Sequence, residues 1–306
     1  MGIKSTLKKS FWAQYGISWY HCFMCKVLPR IINDEKAVKK FYQKKFGKEL
    51  NLDNPKTFNE KVNWYKINGR NPLMEICADK VAVREYIAEK GYSEYLNEVY
   101  GVYDSVEDID LNSLPESFVI KAAHGSNMNY VVKDKSSFDW KHAKRMMKSW
   151  LKQDIYWSGR EWVYKNMPKR IIIEKYLEDK ETGELRDYKF YCFDGYVNSL
   201  LVATNRQSKT NELCFDYFDS NYNHLDLTNH WHPNAKNVPQ KPKQFELMKA
   251  SAQELSKGFP EVRVDFYEVN GKIYFGEFTF FDAGGCLLIH PDDWDKEWGD
   301  LIKLQK

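Results

Sequence analysis

Arg263 and Asp265 stand two residues apart, and so do Glu277 and Thr279, within residues 261–281, EVRVDFYEVNGKIYFGEFTFF. Two runs rich in Val, Ile, Tyr and Phe flank Asn270-Gly271, the strongest short-range hairpin signal. Residues two apart on a strand share a face, so each arm presents its polar pair on one side. Two carboxylates and an arginine on a rigid hairpin suit a divalent cation that holds phosphate oxygens. Mg2+ takes hard oxygen ligands, usually one or two carboxylates with substrate phosphates completing the shell. The same pattern fits an ordinary half-exposed hairpin with surface charges. Register separates the two readings. A plain two-residue turn sets Asp265 opposite Gly276 and sends Glu277 to the other face. A three-residue loop with a bulge sets Arg263 opposite Glu277 and Asp265 opposite Phe275, gathering both acids on one face. The metal reading therefore predicts a bulged or odd-length turn.

Other stretches must position this hairpin. Phe118-Val119-Ile120-Lys121 reads as a strand that runs into the polar loop His124 to Asn129 and returns through Tyr130-Val131-Val132. Such a loop lets backbone N–H groups approach an anion, although it lacks the ending of a Walker loop. Ile171 to Leu177 is a β-branched run that turns polar, followed by the acids Glu178, Asp179, Glu181 and Glu184 around Gly183. Asp187 to Gly195 is a second hairpin arm with an Asp-Gly turn, continuing from Val197 to Ala203. Residues 204–243 read as a polar excursion with short strands, and residues 243–257 as a helix ended by Gly258 and Pro260. Upstream, residues 34–48 read as a basic helix ended by Gly47, and Thr57-x-x-Glu60 as a capping box. Pro72 opens a helical stretch with Lys80 inside it. Residues 139–153 form a basic amphipathic helix whose charges suit a solvated face.

At 306 residues, with 43% hydrophobic and 29% charged residues, the chain reads as a globular protein of one to three domains. The net charge of +3 makes no case for nucleic acid. The basic character lies at the start: residues 1–48 hold eleven Lys and Arg against Asp34 and Glu35, and the rest holds 35 bases and 41 acids. Residues 11–25 carry Trp12, Tyr15, Trp19 and Phe23 at helical spacing between lysines. They suit a helix packed on the protein or on a second copy in a homodimer, or an interfacial helix on an anionic membrane. No run is long enough for a transmembrane helix, and no signal peptide is expected. Met1-Gly2-x-x-x-Thr6 matches the myristoylation pattern only loosely. His21-Cys22-x-x-Cys25 lacks a second ligand pair, and six cysteines in apolar surroundings read as reduced thiols. A cytoplasmic protein is expected, peripheral at the inner face of a membrane if residues 1–30 act as an interfacial helix.

The order of these elements resembles the ATP-grasp superfamily, and more closely its TupA-like branch of bacterial surface-polysaccharide and teichuronopeptide biosynthesis. The resemblance rests on NPKTFNEKVNWYK (54–66), DKVAVREYI (79–87), FVIKAAHGS (118–126), GREWVYKN (159–166), RIIIEKYLED (170–179), DYKFYCFDG (187–195) and GFPEVRVDFYEVNGKIYFGEFTF (258–280). It implies an α+β fold, with two subdomains clasping ATP behind a mainly helical N-terminal extension. The boundaries expected are a basic and aromatic extension (1–50), a helical segment carrying Lys80 (51–115), a small lid subdomain (116–172) and a large subdomain (173–306).

The resemblance also implies roles. Lys80 and Lys121 match lysines that reach the α- and β-phosphates of ATP, and His124, Gly125 and Ser126 open the loop over the triphosphate. Glu174, Lys175, Tyr176 and Leu177 match the adenine hinge, where the backbones of Lys175 and Leu177 bond the base. Glu178 or Glu181 would take the ribose hydroxyls. Lys189 matches the γ-phosphate lysine and Arg263 the arginine that steadies the developing oxyanion, while Asp265, Glu277 and Thr279 match Mg2+ ligands. Thr279 departs from the family's more usual Asn. Residues 1–115 read as mainly helical, so the βαβ domain that usually precedes such a core is not expected in them and acceptor residues are not carried over. The implied function is an ATP-dependent carboxylate–amine ligase that works through an acylphosphate on a uronic-acid surface glycan or its precursor, with an amino acid or amine as partner. Alternatives are a glycan kinase, a glycosyltransferase, or a non-catalytic nucleotide or glycan binder.

Overall fold

The computed structural model describes residues 32–180, 183–205 and 212–304. In chain order its regular elements are α1 (Asp34–Phe46), α2 (Phe58–Asn68), α3 (Pro72–Ala78), α4 (Val83–Glu89), β1 (Val99–Tyr103), β2 (Phe118–Ala122) and β3 (Asn129–Val132). There follow α5 (Trp140–Trp150), α6 (Tyr156–Gly159), β4 (Ile171–Lys175), β5 (Asp187–Phe193), β6 (Tyr196–Thr204), β7 (Cys214–Asp219) and β8 (Thr228–Asn229). The chain closes with α7 (Phe245–Leu255), β9 (Val262–Val269), β10 (Lys272–Thr279), β11 (Ile289–His290) and α8 (Asp293–Leu301). Helices beside wholly antiparallel sheets make this an α+β fold. The chain divides into two compact units.

The first unit comprises residues up to Val38, Asp79–Val81 and Glu98–Tyr176. Its sheet runs β1-β4-β2-β3. Alternation sends Phe118, Ile120 and Ala122 of β2, with Ile171 and Ile173 of β4, into one core. Helix α5 starts where the Asp139 carboxylate accepts the His142 N–H at 2.9 Å, and it buries Ala143, Met147 and Trp150 in that core. The opposite face of β2 and β4 is left for Lys121 and Glu174.

The second unit comprises Lys39–Ala78, Ala82–Asn97 and Leu177–Lys306. Its sheet runs β10-β9-β5-β6-β7. One face packs on α7, with the Phe190 ring 6.1 Å from Phe245 and 5.9 Å from Phe266. On the other face, Trp298 of α8 lies 4.5 Å from Tyr191 and 5.5 Å from Phe58 of α2, ring centre to ring centre. The expected capping box starts α2: Thr57 accepts from the Glu60 N–H, and Glu60 reaches back to the Thr57 N–H.

Three expectations are corrected. Lys80 is not inside a helix: α3 stops at Ala78, and Asp79–Val81 form a break before α4. Segment 51–115, read as helical, contributes β1, which pairs with β4 through Val99↔Glu174 and Tyr103↔Ile171. The β9–β10 connection is not a three-residue loop. Asn270 (φ 52°) and Gly271 (φ 76°) form a two-residue turn that pairs Val269 with Lys272, and the bulge lies further along, at Gly276. Arg263 therefore pairs with Thr279, not with Glu277.

Candidate active site

The bulge decides which face the acids occupy. Phe275 pairs with Phe266, Gly276 is skipped, and Glu277 pairs with Asp265. A Cβ on Gly276 would lie 2.9 Å from the Asp265 carbonyl oxygen, so the bulge needs glycine there. On the next strand, Lys189 pairs with Asp265 and Tyr191 with Arg263. Three adjacent strands thus carry two rows on one face: Glu277–Asp265–Lys189 and Thr279–Arg263–Tyr191. Both acids share a face, as the metal reading requires, with a closer pairing than a bulged turn would give.

Arg263 is the hub of these rows. Its Nε donates to Asp265 Oδ1 at 2.8 Å, and its Nη2 to Asp265 Oδ2 at 2.9 Å and to Thr279 Oγ1 at 3.0 Å. Its Nη1 lies 2.6 Å from Asp282 Oδ1, and Glu277 Oε1 is 4.0 Å from Nη2. Burial opposes the charge, but Asp265 and Asp282 outweigh it and hold the guanidinium well above its ordinary pKa. Lys189 donates to Asp265 at 2.5 Å and lies 3.7 Å from Asp187. Glu277, 38% exposed in its side chain, is the acid of this group most open to solvent.

Asp282 carries no signal in the sequence, since it lies beyond the strand, three residues past Thr279. It accepts from the Tyr191 hydroxyl at 2.6 Å. Burial would raise its pKa; Arg263 and Tyr191 outweigh that and lower it. Helix α2 holds the segment that carries it. Asn59, Asn63 and Lys66 recur at i, i+4 and i+7 on one helical face. Asn59 donates to the Leu287 carbonyl at 2.9 Å and accepts from the Leu287 N–H at 2.7 Å. Asn63 donates to the Gly285 carbonyl at 2.6 Å, and the buried Lys66 to the Gly284 carbonyl at 2.5 Å. This buried polar row explains why NPKTFNEKVNWYK is polar where a core face would be apolar.

Mg2+ fits this donor set. Asp265 and Glu277 face each other across the ladder with hard oxygens, and a carboxylate has about four lone-pair sites, so the cations on Asp265 do not exhaust it. Among the described residues no group of three or more His, Cys, Asp and Glu side chains is arranged to hold a metal. Two carboxylates nevertheless suffice for an ion whose remaining ligands are phosphate and water. Thr279 is placed first as a partner of Arg263.

In the first unit, Lys121 donates to Glu174 Oε2 at 2.6 Å on the face away from the core. The Lys80 N–H donates to the Ala123 carbonyl at 3.4 Å, and its ammonium to the Gly125 carbonyl at 3.0 Å, so both lysines join the β2–β3 region. His124 turns inward. Its ring is 3% exposed and bonds the Trp150 carbonyl at 3.0 Å, and burial lowers its pKa. The loop's outward part is therefore Ser126 and Asn127, both exposed, with Asn127 at φ 58°. Gly125 is buried: a Cβ there would lie 2.6 Å from Met128 and 2.7 Å from Ile155.

The chain crosses from the first unit to the second between Tyr176 and Leu177, inside the expected hinge. The Lys175 N–H donates to the Glu98 carbonyl at 2.9 Å. Glu178 is exposed and its carbonyl accepts from Asn270 at 3.5 Å. Glu181 lies outside the described residues, as do residues 1–31 with the aromatic segment, the myristoylation pattern, Cys22 and Cys25. Cys77, Cys192, Cys214 and Cys286 are free and buried, as the reading of reduced thiols expects.

No curated protein matches the chain. Among solved structures it is similar to D-alanine–D-alanine ligase from Helicobacter pylori (14% identity, TM-score 0.42, 81% of this chain and 69% of that one). It is similar to L-amino acid ligase from Bacillus licheniformis (14%, 0.43, 74% and 49%). It is also similar to D-alanine–D-alanine ligase from Bacillus anthracis complexed with ATP (16%, 0.38, 67% and 54%). The chain thus spans about half the length of the last two proteins. The family model described as TupA-like ATPgrasp matches residues 60–303, four-fifths of the sequence and every element from α2 to α8. The chain belongs to the TupA-like ATP-grasp family.

Proposed function

We propose that the protein is an ATP-dependent carboxylate–amine ligase that joins a uronic acid of a bacterial surface glycan, or its precursor, to an amino acid or another amine. The observation that carries this reading is the pair of rows Glu277–Asp265–Lys189 and Thr279–Arg263–Tyr191 on one face of the second unit's sheet. A kinase or ligase needs the first row for a metal-held phosphate. The second row adds a guanidinium fixed against Asp265 at 2.8 Å, beside the place where an acyl oxygen next to the phosphate would lie.

A free carboxylate is a poor acyl donor because oxide does not leave. In the proposed reaction its oxygen attacks the γ-phosphorus, ADP departs, and an acylphosphate forms. The amine then attacks the acyl carbon, inorganic phosphate leaves with the former carboxylate oxygen, and the amine gives up a proton. Lys189 would neutralise the transferring phosphoryl group, and Arg263 the oxygen on which charge grows, both as preorganised donors. Mg2+ held by Asp265 and Glu277 would neutralise phosphate charge. Lys80 and Lys121 would bind phosphates, Gly125 and Ser126 would cover them, and the Lys175 and Leu177 backbone would bond adenine. Tyr176 would lie beside the base, and Glu178 or Glu181 would take the ribose. His124 anchors the loop from within.

The test is a screen for ADP release in which uronic-acid sugars are crossed with amino acids and amino sugars. ADP release that needs both partners, with an amide product, is the expected result. A phosphorylated sugar without amide would replace the ligase with a kinase. Sugar transfer from a nucleotide sugar without ATP would make it a glycosyltransferase.

A further inference from the structure

An exposed aromatic and basic surface lies on the second unit, on residues not assigned to ATP. Trp231 is 40% exposed although it is locally fixed. Its N–H donates to Asn229 Oδ1 at 2.9 Å, and the adjacent His230 N–H donates to the Leu288 carbonyl at 3.0 Å. The short ladder β8–β11, with Thr228 opposite His290, frames it. The His230 ring lies 5.9 Å from Trp231 and 6.3 Å from His290, and the Lys45 ammonium of α1 lies 5.5 Å from the Trp231 ring centre. The acid beside this group is Asp292, which is 89% exposed and 3.4 Å from His290 Nδ1.

The inner side of this surface leads to Arg263. Asn229 donates from Nδ2 to the Tyr217 hydroxyl at 3.3 Å, and the Tyr217 and Tyr191 rings both pack on Trp298, at 6.5 and 4.5 Å between ring centres. Tyr191 donates to Asp282, which holds Arg263. The Asn229 side chain thus joins the Trp231 backbone to Tyr217, which packs on Trp298 beside the Tyr191 that bonds Asp282.

We propose that Trp231, with Lys45, His230 and His290, is a binding subsite for an anionic saccharide that carries carboxylates. A flat indole offers its electron-rich face to the polarised C–H bonds of a sugar ring. An ammonium and two imidazoles beside it supply donors to carboxylates. A neutral glycan would leave these donors unused, and a flexible acidic polypeptide would leave the indole unused. The proposal rests on the ligase reading for its choice of an acidic sugar, and it adds where a chain of such sugars is held.

Isothermal titration calorimetry of the full-length protein with a galacturonic-acid oligomer, without ATP, tests it. Maltohexaose and poly-glutamate serve as neutral and non-sugar controls. The uronic oligomer binds and both controls bind at least about tenfold more weakly. Trp231→Ala and Lys45→Ala each weaken the uronic oligomer by roughly tenfold or more, while binding of ATP with Mg2+ is unchanged. Trp231→Phe, which keeps an aromatic face, retains most of the affinity and covers the case in which the alanine variant misfolds. The proposal is overturned if the wild type does not bind the uronic oligomer, if poly-glutamate binds as well, or if Lys45→Ala or a folded Trp231→Ala matches the wild type. Each such result leaves amine-dependent ADP release from a uronic monosaccharide intact. Failure of the ligase reading instead removes that ADP release and leaves the oligomer bound.

Discussion

Every hydrogen-bonding nitrogen of Arg263 meets a partner: Nε and Nη2 meet Asp265, Nη2 also meets Thr279, and Nη1 meets Asp282. A planar fork suits this arrangement, whereas a lysine is a single point charge. Arg263→Lys would keep the charge and lose the fixed direction. In the ligase reading, turnover falls by about 10²–10³, in the range of a lost oxyanion donor, with a smaller change in the KM for ATP. Steady-state ADP release over a range of ATP concentrations checks this. His124 makes a different claim, about stability. Burial holds its pKa below the ordinary 6.5, so at pH values between the two an unfolded chain takes up a proton that the folded ring refuses. The stability due to neutral His124 is full above 6.5 and is lost as pH falls through the depressed folded value. Thermal melts at about pH 7.5 and about pH 5.5 should show a larger drop for the wild type than for His124→Gln, which can still donate to Trp150. Equal drops would assign the pH dependence to other groups.

At the scale of elements, the geometry of the centre hangs on one missing side chain. Gly276→Ala would push a Cβ to 2.9 Å from the Asp265 carbonyl and strain the bulge that aligns Glu277 with Asp265. It should cost about 1–3 kcal/mol of stability and lower turnover by about 10²-fold or more. Gly271→Ala in the same hairpin is the control. Its φ of 76° costs about 1 kcal/mol, but nothing lies within 4 Å, so turnover holds once the protein is folded. The α2 row offers a second test. Asn63→Leu leaves the Gly285 carbonyl without its donor and should cost about 1–3 kcal/mol in denaturant unfolding. It should lower turnover through the Asp282 segment while ATP binding stays near that of the wild type. Much of this was legible beforehand. Asn270-Gly271, Asp194-Gly195 and the capping box at Thr57 are local signals, and each forms where its residues place it. The shared face of the acids is expected only from a bulged or odd-length turn, and the bulge that provides it sits at Gly276 instead. Gly276 looks like any strand glycine until its opposite neighbour is known. Lys80 reads as helical because Ile76, Val81, Val83 and Ile87 keep roughly helical spacing, yet that spacing runs through a break that hydrogen bonds from Lys80 to Ala123 and Gly125 stabilise. Asp282 and the row Asn59, Asn63 and Lys66 act across more than 200 residues or beyond a strand end, where no spacing rule reaches.

At the scale of the whole molecule, each unit brings a distinct part of the proposed chemistry on its own sheet. The first has Lys121 beside Glu174 and a loop fixed by Lys80 and His124. The second has the two polar rows, the α2 brace and the Trp231 surface. Among the described residues no helix is long and apolar enough to cross a membrane. In the proposed reaction a carboxylate is activated by phosphorylation and then captured by an amine. The most direct measurement uses a uronic acid labelled with 18O in its carboxylate, turned over with ATP and the amine found by the ADP screen, with mass analysis of the phosphate released. One 18O should be carried into each phosphate and lost from the amide. Unlabelled phosphate, with both labels still in the sugar product, would contradict it.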